Sequence, residues 1–187
     1  MSYTVSTIKS CDLWDLYLSD SCQNSFYMKA SLLQRLDHTV IFKCVKKGNE
    51  VLGLFPLAGG GAHLPHIYYY GMSYMNRINE LSSSNQIDQT IQIQQAICKC
   101  ILANIEKVCL SLSTQISDIR GLSWSNFDDP DLNLMIEPKY THIIDLKDKT
   151  FENLMQSFKG VRRQEIRYAT EREDLIVTAD DDIDALL

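Results

Sequence analysis

Lys159, Arg162, Arg163 and Arg167 are the residues whose type and spacing best suit chemistry. An arginine fork presents planar, paired donors to phosphate or carboxylate, and such charge-assisted bonds are roughly twice as strong as neutral ones. Lys159, Arg163 and Arg167 are four apart, so a helix would stack them on one face, where like charges repel by a few tenths of a kcal/mol per pair. An anionic ligand would relieve that repulsion. The same residues also fit a solvated face, neutralised by Glu165, Glu171 and Glu173 through contacts such as Arg167 to Glu171.

The other reactive side chains are dispersed. His38, His63, His66 and His142 carry no spacing that places a base beside a nucleophile and an orienting third group, so no triad is expected. His63-Leu-Pro-His66 has no carboxylate or cysteine close behind it and reads as a loop pair without a metal. Cys11, Cys22, Cys44, Cys98, Cys100 and Cys109 lack metal-knuckle spacing, the Cys98-Lys-Cys100 pair being one residue too close, and read as buried free thiols. Gly59-Gly60-Gly61 lacks the following Lys-Ser/Thr and helix start of a phosphate cradle and reads as a loop.

The elements that must position these groups follow from periodicity. Phe151, Leu154, Met155, Phe158, Val161 and Ile166 recur near the 3.6-residue period and predict one basic helix over 151–169 with a buried apolar stripe, entered from a strand over 140–146. Before Leu36, the apolar residues fit two short helices. His38 to Lys46 and Glu50 to Ala58 predict a hairpin turning at Lys47-Gly48-Asn49. His66 to Gly71 reads as an aromatic strand whose Tyr70 and Tyr68 share a face. Ser82 to Asn85 would cap a long helix over 86–110, and 118–125 and 135–146 read as strands around a turn at 128–131.

With 187 residues, 45% hydrophobic and 22% charged, the chain can bury one solid core. Its net charge of −6 argues against general nucleic-acid binding, which needs a cationic surface, and points the basic helix at a small anion. Lacking a leader-like start and any run of eighteen apolar residues, the sequence reads as cytoplasmic, which also suits reduced cysteines.

The segment Phe158-Lys-Gly-Val-Arg162-Arg163-Gln-Glu-Ile166-Arg167-Tyr-Ala169, after the threonine-bearing strand and acidic-Leu step of Tyr140-Thr-His-Ile-Ile-Asp-Leu146, resembles GNAT-type transferases related to the Fem peptidoglycan aminoacyltransferases. Asn24-Ser-Phe26, Gly53-Leu-Phe-Pro56-Leu, Tyr70-Gly71-Met and Asp118-Ile-Arg120-Gly-Leu-Ser-Trp124-Ser-Asn126-Phe127 extend the resemblance over most of the chain. It implies an α+β fold: a GNAT-like domain over 1–136, its mixed, mostly antiparallel sheet flanked by helices, and the beginning of a second GNAT-like domain over 137–187. The implied activity is transfer of an acyl or aminoacyl group, from acyl-CoA or aminoacyl-tRNA and without a metal, to an amine or hydroxyl of a cell-envelope or polysaccharide precursor. The implied donor site lies in the remainder of the second domain, so this stretch alone is expected to bind acceptor poorly and acylate nothing. The phosphorylated or anionic acceptor would be gripped by Lys29, Arg162, Arg163 and Arg167, with Tyr70 and Trp124-Ser-Asn126 shaping its wall, although Trp124 is also expected in the core. No catalytic base is assigned. A non-catalytic binding module that keeps the anion-binding helix is the alternative.

Overall fold

The computed structural model describes residues 2–58, 71–103, 108–129, 134–140 and 146–172. It divides into two compact units, Met1–Glu137 and Pro138–Leu187. The chain is α+β, and its described sheet is wholly antiparallel, with four strands in the order β1-β2-β3-β4.

In the first unit, β1 (Tyr3–Ile8) is a β-branched run that lies outside the strands expected from periodicity. Ser10 then caps α1 (Cys11–Ser19), its side chain accepting from Leu13 N, and α1 buries Trp14 and Leu18 one turn apart. A 3-10 turn over Phe26–Met28 leads into α2 (Ala30–Leu36), whose first N–H donates to Asp15 Oδ1 at 3.1 Å, tying α2 to α1.

The predicted hairpin is present as β2 (Ile41–Lys47) and β3 (Glu50–Leu57), with Gly48 at φ +65 in the turn. Cα pairing runs from Val45↔Gly53 to Lys46↔Val51. Leu52 is therefore an extra residue on β3, a bulge that interrupts the alternation and leaves Leu52 on the same face as Gly53. The short β4 (Ser73–Tyr74) completes the sheet.

A hydrophobic core lies on each face. Trp14, Leu18, Met28 and Leu33 pack on Phe42, Cys44 and Leu54. On the other face α3 (Ser83–Leu102) lays Ile93, Ile97 and Ile101 against Val45, Phe55 and Tyr74. The approach is close at Gly53, where a Cβ would stand 2.8 Å from Ile93 Cγ2.

Three expectations fail here. Residues 118–125 form no strand: α4 (Arg120–Ser123) is a short helical turn seated on α3, because Gln94 accepts from Leu122 N there and Gly121 admits close contact. Residues 135–140 carry no regular element. The basic helix is two helices, α5 (Phe151–Ser157) and α6 (Gly160–Glu171), since Phe158 (ψ 148) and Lys159 (ψ 150) are extended between them, just before a glycine of poor helix propensity. The apolar stripe assigned to that helix has no buried member, and Phe151 and Val161 are each 67% exposed. Residues 59–70, with the aromatic strand and Tyr70, and residues 141–145, with His142 and most of the expected strand, lie outside the described residues.

Candidate functional site

The predicted site residues fall in different places. Lys29 belongs to the first unit, where its extended backbone (φ −60, ψ 135) occupies the N-cap position of α2 and its side chain is half-buried. Arg162, Arg163 and Arg167 belong to the second.

Within α6 the three arginines differ. Arg162 Nη1 donates to Glu165 Oε2 at 2.6 Å, an exposed pair one turn apart, so local chemistry already neutralises it. Arg163 and Arg167 share the neighbouring face, and neither has an ion-pair or hydrogen-bond partner among the described residues. Lys159 stands at the N-cap with extended backbone, so it does not continue their helical stack.

Apart from that of Arg162, the positive charge at the start of α6 has no partner among the described residues. The first turn of α6 contains no acidic residue, and Arg163 Nη2 folds back to 4.0 Å from where a Cβ on Gly160 would stand. Free backbone N–H groups make a helix N-terminus positive already, so cations added there repel it by roughly 0.3–1 kcal/mol each. The two contributions point the same way, toward an anion.

In the first unit, Gln94 is wholly buried and fully used. Its Nε2 donates to Tyr74 Oη at 2.7 Å and to Asp118 O, while Oε1 accepts from Leu122 N at 3.2 Å. Burial pushes the Tyr74 hydroxyl above the ordinary phenol range, so it stays protonated. This network joins α3, β4 and α4 and leaves no group free to react.

Beside it, the Asp118 carboxylate accepts from Arg120 backbone N, Nε and Nη2, the shortest bond being 2.6 Å from Nη2, and the same guanidinium lies 5.6 Å from the Trp124 ring centroid. Trp124, expected in the core, is instead 55% exposed at the C-cap of α4. Hydrogen bonds from Arg120 hold the Asp118 carboxyl below the usual carboxylate range. A depressed folded value adds stability above the unfolded pKa of about 3.9 and loses it as pH falls through the folded one. The melting-temperature gap between wild type and Asp118→Asn is therefore expected to be present at pH 6 and to shrink towards about pH 3. It is small throughout, since the pair is solvent-screened.

The cysteines are free, but only Cys44 and Cys98 are buried, and Cys109 is exposed. Burial pushes the Cys22 and Cys98 thiols up, away from the nucleophilic thiolate. Among the described residues no group of three His, Cys, Asp or Glu is placed to hold a metal, and no helix is long and apolar enough to cross a membrane.

Sequence reasoning missed a cavity of about 290 Å3 in the first unit, lined by Cys22, Gln23, Asn24, Ser25, Ser113 and Gln115. None of the predicted site residues lines it. Only the polar run Cys22-Gln-Asn-Ser25 marked one wall, and nothing in the sequence joined it to Ser113 ninety residues later. No protein-family model matches this chain, and comparison with curated proteins and with solved structures gives no significant match.

Proposed function

We propose that the chain is the N-terminal part of a GNAT-like, Fem-related acyl- or aminoacyltransferase of the cytoplasm. Its acceptor is a phosphorylated or anionic cell-envelope or polysaccharide precursor carrying an amine or hydroxyl. The observation that carries this reading is the pair Arg163 and Arg167, exposed on one face of α6 without partners among the described residues, with Arg163 in a first turn that has no acid. An antiparallel sheet with helices on both faces supports the fold that the resemblance implies.

In the transfer, the acceptor amine or hydroxyl attacks an activated acyl carbon, and the rate comes mainly from positioning and oxyanion stabilisation. The arginines contribute by fixing the acceptor's phosphate. The donor is acyl-CoA or aminoacyl-tRNA. The two thiols that burial keeps protonated favour direct transfer over an acyl-cysteine intermediate on either of them, and equally suit a non-catalytic binding module with the same helix.

Inorganic pyrophosphate, titrated calorimetrically, tests the grip. The Arg163→Ala/Arg167→Ala double variant is expected to bind it at least about tenfold more weakly, since hydrogen bonds to charged groups contribute ~1.5–3 kcal/mol each. Added salt should erode wild-type affinity. Full affinity in the double variant overturns the reading. Label transfer from acyl-CoA or aminoacyl-tRNA by the complete gene product separates enzyme from binding module.

A further inference from the structure

The cavity between the Cys22–Ser25 segment and the Ser113–Gln115 turn has a definite hydrogen-bonding polarity, set by Gln23. Gln23 is only 7% exposed. Its Oε1 accepts from Tyr74 N at 2.8 Å and from Ser73 Oγ at 3.2 Å, while Ser73 Oγ in turn accepts from Gln23 N. A backbone N–H can only donate, so these contacts fix which end of the amide is oxygen. The Nε2 end is thereby turned away from β4, and it has no partner among the described residues. Gln23 itself lines the cavity.

The two serines add to the same polarity. Ser25 Oγ accepts from Tyr27 N at 3.2 Å and Ser113 Oγ accepts from Gln115 N at 3.3 Å, which leaves each hydroxyl proton to be given elsewhere. Cys22 does not alter this balance: its sulfur receives Asn79 Nδ2 at 3.0 Å and donates to Met75 O at 3.6 Å. Among the described residues no charged side chain lines the space. An anion would meet no countercharge from these side chains, and an apolar ligand would strand the donors. A neutral molecule rich in acceptor oxygens satisfies both conditions, and about 290 Å3 is at the small end of ligand pockets.

We infer that this cavity is a binding site for a single neutral sugar ring, whose hydroxyl and ring oxygens accept from Gln23 Nε2 and from the Ser25 and Ser113 hydroxyls. The inference stands apart from the reading of α6, because every described lining residue belongs to the Met1–Glu137 unit.

Glucose, galactose and N-acetylglucosamine, titrated separately into the labelled whole chain and followed by two-dimensional amide NMR, test it. At least one should give saturable shifts, in the millimolar range, of the Gln23 side-chain amide and of the Ser113 and Gln115 backbone amides. Gln23→Glu keeps an oxygen for Tyr74 N but removes the donor, and should weaken that sugar about tenfold. Ser113→Ala, on the opposite wall, should weaken it severalfold and decides the matter if Gln23→Glu fails to fold. The site is disproved if no sugar shifts these signals saturably, if both folded variants bind as wild type, or if inorganic phosphate displaces the sugar.

Discussion

Trp14→Ala is expected to destabilise the first unit by about 3–5 kcal/mol, the range for truncating a buried tryptophan. Trp14 is 0% exposed, its ring centroid is 4.7 Å from that of Phe42, and its Nε1 donates to Met28 O at 2.7 Å. The substitution removes the largest side chain between α1 and the sheet and strands the Met28 carbonyl inside the core. Native domains hold only about 5–15 kcal/mol in total, so a large share of the stability is lost. The melting temperature should fall by roughly 10–20 °C, as 1 kcal/mol corresponds to about 2–4 °C in domains somewhat larger than this unit and more in smaller ones. Trp14→Phe separates the two causes, because it keeps an aromatic ring on Phe42 and loses the indole N–H; its fall should be less than half as large. Equal falls would mean that the bond to Met28 O, and not packing, dominates. A Trp14→Ala protein melting within a few degrees of wild type would refute the core described here.

Local signals made the hairpin legible. Gly48 at φ +65 does what the turn between two β-rich runs required, and both strands lie within three residues of their expected ends. The long helix was also legible, although it spans Ser83–Leu102 instead of 86–110 and buries Ile93 and Gln94 while leaving Ile87 exposed. β1 was missed although Thr4, Val5, Thr7 and Ile8 are β-branched, because its alternation is weak where mostly polar side chains flank Ile8. Residues 118–125 misled for a physical reason: the contacts that make them helical come from Gln94, some 28 positions away, and no local pattern records that. The same holds for the sites. The arginine spacing of α6 and a neutralising role for Glu165 could be read along the chain, whereas the break at Phe158 and Lys159 and the Gln23 cavity depend on backbone conformation and long-range bonds.

Gly121→Ala should be the most damaging single methyl added to the chain's described glycines. A Cβ there would stand 2.5 Å from Ile91 O, 2.6 Å from Gln94 Cβ and 2.9 Å from Gln94 Oε1. Ile91 O belongs to the backbone of α3 and cannot swing away, and Gln94 is held by bonds to Tyr74 Oη, Asp118 O and Leu122 N. Relief requires α4 to lift from α3, which breaks the last two of those bonds. Overpacking alone costs about 1–3 kcal/mol, and each buried polar group left unpaired adds ~1–3 kcal/mol, so a loss of about 3–5 kcal/mol is expected at 25 °C. Gly48→Ala is the contrasting case: nothing lies within 4 Å of its Cβ, and only the left-handed backbone at φ +65 opposes it, at about 1–2 kcal/mol. Chemical denaturation of both variants should therefore show the larger drop in midpoint at Gly121, with Trp124 fluorescence changed before unfolding because α4 carries the ring. If Gly121→Ala proves no worse than Gly48→Ala, α4 is not seated on α3 as described, and the buried Gln94 network is not what joins the helix to β4.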